Sequence, residues 1–202
     1  MQKGYRAEAA VLGEPTNLEP KFAHKGVLRV EITIKGSAAH ASTPREGVVN
    51  AILYMSKLIH KLDKLAMVVE KEYESYTGHA SIAITTIKGG TALNMIPDTC
   101  SISIDRRMVP GQKEESVMEQ IEQILKEFKL TNPKIDVRMK RIRCTRPAIT
   151  EATKPISELV LKIANEELQR KINPAAFQAC CDMTFLMSEG NIPVVIIGPG
   201  DI

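Results

Sequence analysis

The stretch VLRVEITIKGSAAHASTPREGVVNAILYMSKL, residues 27–58, carries two hydrophobic periodicities in succession. From Val27 to Lys35, apolar and polar side chains alternate, which predicts a strand with one buried face and one face in water. A loop of small residues around His40 follows. Apolar residues then recur at helical spacing from Val48 to Leu62, which predicts an amphipathic helix. The stretch therefore predicts a strand, a tight loop and a helix.

The start of this helix has its own sequence signal. Thr43 is a suitable N-cap, Pro44 suits the first helical position, and Glu46 completes a capping box. The sequence therefore predicts a helix that begins at Pro44, immediately after the loop that contains His40.

The same two patterns continue towards the carboxyl end. Two further alternating segments predict strands, an amphipathic segment predicts a second helix, and another alternating segment predicts a fourth strand: HASIAITTIKG (79–89), TCSISIDRR (99–107), GQKEESVMEQIEQILKEF (111–128) and PKIDVRMKR (133–141). The element order over residues 27–140 is therefore β-α-β-β-α-β, which is the ferredoxin-like order.

The two ends of the chain have a different character. AEAAVL (7–12) and IPVVIIGPG (192–200) are apolar runs that stop at Gly/Pro turns, and a helix is predicted over residues 153–168. Continuously apolar strands are typical of sheets covered on both faces. We therefore predict an α/β fold, in which residues 1–22 and 141–202 form parts of one α/β domain and residues 23–140 form an inserted βαββαβ domain.

Composition narrows the range of partners. The 202 residues carry a net charge of +3, which is too small to indicate nucleic acid or an anionic membrane as a partner. No apolar run reaches bilayer length, the third strand lacks aromatic residues for stacking on RNA, and the first residues lack a signal-peptide pattern. The four cysteines show no C-x-x-C spacing, which favours reduced thiols over structural zinc. We expect a cytoplasmic protein with neither nucleic acid nor membrane as a partner.

Local sequence leaves the roles of the candidate site residues open. Glu14 follows an apolar strand, where a carboxylate can face a ligand crevice and bind a metal, or remain a solvated turn residue. His40 can donate a hydrogen bond to an oxyanion or be an exposed loop histidine. Asn94 can bind a substrate oxygen or cap a turn. Arg106 and Arg107 point to opposite faces of a strand, so one can be solvated while the other reaches a carboxylate.

Taken together, four segments resemble the di-zinc amidohydrolases of acetylornithine deacetylase, succinyl-diaminopimelate desuccinylase, aminoacylase and carboxypeptidase G. The segments are GEPTNLEPKFAHKG (13–26), IKGSAAHASTPREGVVNAI (34–52), GGTALNMIPDTCSISIDRRMVPG (89–111) and IPVVIIGPGDI (192–202). The resemblance implies a zinc-peptidase-like catalytic α/β domain with an inserted βαββαβ lid that forms a homodimer. It also implies hydrolysis of an N-acyl amino acid or short peptide with two zinc ions, with cobalt or manganese as alternatives.

The resemblance also implies roles for four residues. Glu14 matches a carboxylate that binds one zinc. His40 matches the lid histidine that reaches the partner subunit's active site and polarises the scissile carbonyl. Asn94 matches a lid asparagine near the substrate, and Arg107 matches the strand-end arginine that holds the substrate carboxylate.

The family pattern extends beyond this sequence at both ends. It places a histidine, a bridging aspartate and a Glu-Glu pair before GEPT, and a further histidine after GPG. Here Met1 lies only a few residues before GEPT, and the sequence stops at GPGDI. The resemblance therefore implies a fragment that is inactive alone, because catalytic zinc needs about three protein ligands. The alternative is a non-catalytic dimerisation or regulatory module, since βαββαβ domains serve many functions.

Overall fold

The computed structural model describes residues 7–42 and 46–201. In chain order its elements are β1 (Ala10–Leu12), β2 (Lys21–His24), β3 (Gly26–Lys35), β4 (Ala39–His40), α1 (Ala51–Val69), β5 (Tyr73–Glu74), β6 (Gly78–His79), β7 (Ser81–Gly89), β8 (Met95–Ile96), β9 (Thr99–Met108), α2 (Glu114–Thr131), β10 (Asp136–Thr145), β11 (Ala148–Ile149), α3 (Pro155–Glu167), β12 (Ala175–Phe177), α4 (Met183–Gly190) and β13 (Val194–Ile196). No helix in the described ranges is long and apolar enough to cross a bilayer.

The central feature is an antiparallel four-stranded sheet with the order β10-β3-β9-β7. Helices α1 and α2 pack on one face of this sheet. The predicted βαββαβ order is therefore confirmed, and so is the α/β fold class. Two short antiparallel pairs, β4 with β8 and β5 with β6, form in the connections.

Strand β3 shows why one face of this sheet is covered. Leu28, Val30, Ile32 and Ile34 are fully buried against the helices, as the alternation predicts. The other face carries polar and charged side chains, and we call it the open face; it includes Arg29, Ser103, Asp105, Arg107 and Arg143.

A second sheet joins the two ends of the chain. Its order is β1-β13-β2-β11, with β12 beside β2, and β1 runs parallel to β13. All three residues of β13 are buried, as predicted for a covered strand. The prediction was wrong for β1, where Val11 is 56% exposed, because β1 lies at the sheet edge beyond the helices that pack on β13.

Helix α1 begins later than predicted. Thr43 and Pro44 lie outside the described residues, and Glu46 belongs to a turn that precedes the helix. The predicted start at Pro44 was wrong, because Asn50 is the N-cap and its Oδ1 accepts hydrogen bonds from two backbone N–H groups of the first turn.

The chain crosses between the two sheets twice. It leaves the second sheet after His24 and enters β3 at Gly26, and it returns between Thr145 and Ala148. The domain boundaries predicted at residues 22 and 140 remain predictions.

Candidate active site

His40 and Asn94 lie side by side although they are far apart in sequence. Strand β4 pairs with β8 in a register that places His40 opposite Met95, and Ala41 N donates to Asn94 O over 2.8 Å. The amide Nδ2 of Asn94 lies 3.5 Å from Nε2 of His40, and both residues are exposed. The two candidates therefore share one site on the surface.

Hydrogen bonds at Nδ1 assign the tautomer of His40. The backbone N–H of Ser42 donates to Nδ1 over 3.3 Å, and the Ser42 hydroxyl lies 2.8 Å from the same atom. Because a backbone N–H can only donate, we assign Nδ1 as an acceptor and place the proton of the neutral ring on Nε2. This leaves an exposed Nε2–H donor, so the Asn94 amide can pair with it only through its oxygen and not through Nδ2, which is itself a donor.

Backbone contacts hold the two loops that present this pair. Gly36 N donates to Asp98 O over 2.7 Å, so the loop after β3 is tied to the loop before β9. Ser37 and Val49 exchange two hydrogen bonds, from Ser37 N to Val49 O and from Val49 N to Ser37 Oγ. The site therefore rests on the end of the sheet where β3 stops and β9 begins.

Arg107 lies on the open face and is held by a carboxylate. Its Nε donates to Asp105 Oδ1 over 2.6 Å, while Arg29 Nε donates to Asp105 Oδ2 over 2.8 Å. Its neighbour Arg106 turns to the covered face and is 1% exposed. The prediction that these arginines point to opposite faces is confirmed, and Arg107 is the one that a small molecule can reach.

The His40–Asn94 pair and Arg107 lie at opposite ends of the four-stranded sheet. Asn94 precedes the start of β9 at Thr99, whereas Arg107 is one residue from its end. At about 3.4 Å per residue, the strand from Thr99 to Arg107 is roughly 27 Å long. One small substrate therefore cannot contact both groups within a single chain.

Glu14 lies at the carboxyl ends of the parallel strands β1 and β13. The loop after β1 is locked to the turn after β13, where Thr16 Oγ1 accepts a hydrogen bond from Gly198 N over 3.1 Å. A Cβ on Gly198 would come within 2.5 Å of the Glu14 carbonyl oxygen, so the close approach requires glycine. This edge of the sheet is the usual place of a ligand crevice in α/β folds.

Comparison with known proteins decides the family. The model of the M20 peptidase dimerisation domain matches residues 22–132, more than half of the chain. The chain belongs to the M20 peptidase family. It is similar to the acetylornithine deacetylase of Myxococcus xanthus, with 30% identity over 98% of this chain and 50% of the relative. It is also similar to the acetylornithine deacetylase of Klebsiella pneumoniae, with 37% identity over 52% of this chain and 28% of the relative. The chain spans about half the length of the curated relatives that it matches over almost its own whole length.

Solved structures agree on the fold. A tripeptidase from Staphylococcus aureus has a TM-score of 0.69 at 20% identity, with 96% of this chain and 49% of that chain covered. The aminopeptidase PepT from Bacillus cereus has a TM-score of 0.70 at 20% identity, with 95% and 49% covered. The relatives are deacetylases and peptidases, so the M20 chain belongs to a family of hydrolases.

The described part of this M20 chain does not by itself fit a zinc centre. Within residues 7–42 and 46–201, no group of three or more His, Cys, Asp or Glu side chains is placed to hold a metal ion. Cys181 lies near Glu14, but burial and, to a smaller extent, the charge of Glu14 raise the pKa of its thiol to about 11. Glu14 can therefore contribute one carboxylate ligand, whereas zinc needs about three protein ligands.

Sequence reasoning missed a partly buried polar network on the covered face of the four-stranded sheet. The Arg106 guanidinium forms an ion pair with Glu72, and the Glu72 carboxylate also accepts from the side-chain amides of Gln112 and Gln120. Gln112 Oε1 in turn accepts from Val109 N over 2.9 Å. An arginine at a β9 position that faces the core indicated a buried charge that needs a partner. The identity of that partner, Glu72, depends on tertiary packing.

Proposed function

We propose that this chain forms part of a metal-dependent amidohydrolase that cleaves N-acyl amino acids or short peptides, in the manner of acetylornithine deacetylase or desuccinylase. The observation that carries the proposal is the proximity of His40 Nε2 to the side-chain amide of Asn94, 3.5 Å apart, in a chain of the M20 family. Similarity to acetylornithine deacetylases supports an N-acyl amino acid as the small-molecule substrate.

Each residue has a chemical role in this proposal. The Nε2–H of His40 donates to the carbonyl oxygen of the scissile amide, where negative charge develops in the tetrahedral transition state. Asn94 steadies the same region of the substrate. Arg107 binds the substrate carboxylate through its planar guanidinium, which Asp105 holds in place. Glu14 is the metal ligand that this chain supplies.

The proposal requires a homodimer. The His40–Asn94 pair lies at one end of β9 and Arg107 at the other, and the strand from Thr99 to Arg107 is roughly 27 Å long at the usual rise per residue. His40 therefore acts on the substrate bound by the partner subunit. The edge strand β7 and the adjacent helix α1 offer a surface for this contact. Ile87 on β7 is 57% exposed and Met67 on α1 is 67% exposed, which favours association over a solvated edge.

We expect no hydrolysis and only weak zinc binding from this chain alone. Glu14 provides one of the ligands, and the remaining ligands and the general base must come from sequence that the longer relatives contain. An assay with an N-acetyl amino acid and added zinc should give no turnover above background. Metal-dependent turnover that Glu14→Ala leaves unchanged would contradict this proposal.

The role of His40 can be tested in an intact homologue. His40→Ala should lower kcat by about 10²- to 10³-fold, the range for the loss of one oxyanion donor. The matched control is His60→Ala, because His60 is an exposed histidine on α1. A change in KM alone would show that His40 binds substrate without stabilising the transition state.

The dimer can be tested on the chain itself by light scattering. Ile87→Lys on the edge strand β7 should convert the dimer to a monomer, because a charge would be buried in the interface. Ile142→Lys is the matched control, since Ile142 is 55% exposed on the opposite edge strand β10. A wild-type chain that is monomeric would overturn the cross-subunit role of His40.

A further inference from the structure

A buried arginine binds the backbone of its exposed neighbour. Arg106 turns to the covered face of the four-stranded sheet and is 1% exposed. Its guanidinium nitrogen Nη1 donates to the carbonyl oxygen of Arg107 and lies 3.5 Å from the carbonyl oxygen of Ser81. Ser81 and Arg107 lie directly opposite each other in the pairing of β7 with β9. Arg106 therefore joins the two strands at the end of the sheet where Arg107 lies.

Polar side chains fix the Arg106 guanidinium and the chain that follows it. Glu72 Oε2 accepts from Arg106 Nη2 over 2.5 Å and from Gln112 Nε2 over 2.6 Å. Gln112 Oε1 in turn accepts from the backbone N–H of Val109 over 2.9 Å. The backbone around Arg107 is thus held at two points, by Arg106 at the Arg107 carbonyl and by Gln112 at the Val109 amide.

This network is costly to bury. Arg106 Nε and Gln120 Oε1 are both buried without a hydrogen-bond partner among the described residues. Burial lowers the pKa of Arg106, and the charge and hydrogen bond of Glu72 oppose this shift only in part. Apolar side chains of similar volume often stabilise a protein as well as a buried ion pair does. Stability alone therefore does not explain an arginine at this position.

We propose that Arg106 is a positioning residue, which holds the end of β9 so that Arg107 keeps a single orientation on the open face. This inference rests on the proposed function, in which Arg107 binds the substrate carboxylate. Asp105 Oδ1 accepts from Arg107 Nε over 2.6 Å, and this contact requires the backbone of the strand end to stay in register. A guanidinium that is ordered beforehand loses less conformational freedom when it binds a carboxylate.

A second arginine in the same sheet provides an internal reference. Arg138 Nε donates to Asp136 Oδ2 over 2.7 Å, so it binds a carboxylate two residues before it, as Arg107 binds Asp105. The residues on either side of Arg138 are apolar. In NMR spectra of the 202-residue chain, we expect the Nε–H of Arg107 to show a higher heteronuclear NOE than that of Arg138. A value no higher than that of Arg138 would overturn the proposal.

The deciding variant removes both charges of the buried pair together. Arg106→Met combined with Glu72→Gln leaves no unpaired buried charge, and the amide oxygen introduced by Glu72→Gln can still accept from Gln112. The urea midpoint should stay close to that of wild type, because replacement of a whole buried pair is often neutral. The heteronuclear NOE of Arg107 should fall to the level of the reference arginine. A value that stays at the wild-type level would show that Asp105 alone orders Arg107 and would overturn the proposal.

Phe128→Leu controls for a general loss of stability. Phe128 is 1% exposed near the end of α2 and makes no hydrogen bond to the network through its apolar side chain. This variant should lower the urea midpoint, because it removes packing from the core, and should leave the heteronuclear NOE of Arg107 unchanged. If the NOE instead follows the urea midpoint in both variants, Arg106 has only a structural role and the proposal is overturned.

The outcomes separate this inference from the proposed function. The NMR signal reports the order of the Arg107 side chain whether or not that side chain binds a substrate. If the double variant leaves Arg107 ordered, the role of Arg106 is wrong and the assignment of Arg107 to the carboxylate stands. If Arg107 loses its order, but Arg107→Gln in an intact homologue leaves KM unchanged, Arg106 does position Arg107 and the proposed function fails.

Discussion

Arg106 and Arg107 show how far one residue's role can be read from sequence. Alternation along β9 predicts that they face opposite sides, and the structure confirms this. The pattern cannot identify the partner of Arg106, because Glu72 lies just beyond α1 and reaches Arg106 only when the helix packs on the sheet. A strand pattern thus assigns a face, whereas tertiary packing assigns the contact.

The Arg106–Glu72 ion pair gives a stability prediction. Glu72→Ala leaves a buried guanidinium without its carboxylate, and breaking a buried pair in this way costs about 3 kcal/mol. The urea midpoint should fall accordingly, while Glu70→Ala, at an exposed neighbouring glutamate, should change it little. Equal midpoints for the two variants would show that the network contributes nothing to stability.

His24 gives a prediction of pH dependence. Its side chain is fully buried, Nδ1 lies 2.9 Å from the Lys25 carbonyl oxygen, and Nε2 has no hydrogen-bond partner among the described residues. Burial lowers the pKa of His24 below the ordinary value of 6.5, and the hydrogen bond to the Lys25 carbonyl opposes this only in part. Below pH 6.5 the unfolded chain therefore binds a proton that the folded chain does not, so the folded state loses stability as the pH is lowered.

The measurement is the urea midpoint from about pH 7.5 to about pH 5.5, which brackets the ordinary histidine pKa. His24→Asn cannot titrate in this range and should show a smaller loss than wild type. The same loss in both proteins would assign the pH dependence to other groups.

At the scale of elements, the helices and strands of the lid were predictable but their ends were not. The hydrophobic pattern gave the βαββαβ order because each period is a local property of the chain. The start of α1 was misplaced because Thr43 and Asn50 are both good caps in sequence, and the choice depends on contacts made elsewhere. Ala51 N donates to Pro97 O over 3.0 Å, which fixes the helix start against the loop that carries Asn94.

Asn50 therefore gives a prediction for α1. Asn50→Ala should lower the free energy of unfolding by about 1 kcal/mol, the usual cost of losing an N-cap, and should reduce hydrogen-exchange protection at Ile52 and Leu53. Asn50→Asp is the control, because its carboxylate can accept the same hydrogen bonds. If Asn50→Ala leaves both amides protected, the helix start is held by the loop contacts and not by the cap.

At the scale of the whole molecule, the sequence predicted that its two ends are parts of one α/β domain, and in the structure β1 and β13 are neighbouring parallel strands of one sheet. The register between strands cannot be read from the local hydrophobic pattern, because β10 pairs with β3 across about a hundred residues of intervening chain. Arg29 and Arg143 are ordinary exposed strand residues in sequence and become a like-charged pair only through this register. This pairing was therefore invisible before the fold was known.

The crossing between the two sheets gives a prediction for the molecule as a whole. A Cβ on Gly26 would lie 2.6 Å from the backbone nitrogen of Pro147 and 2.7 Å from the carbonyl oxygen of Thr145. These atoms belong to the returning segment, so the two crossings pack against each other at this residue. Gly26→Ala must push the segments apart and should cost about 1–3 kcal/mol, as overpacking does elsewhere.

The control for this substitution is Gly13→Ala, because a Cβ on Gly13 would meet no atom within 4 Å. Both variants lose the same unfolded-state freedom of glycine, so the difference between their urea midpoints reports the contact at the crossing. We expect Gly26→Ala to be clearly less stable than Gly13→Ala and to show altered NMR shifts at Lys25 and Cys180, which contact each other across the crossing. Matching midpoints and unchanged shifts would show that the two segments can separate without cost, and that this packing does not hold the crossing together.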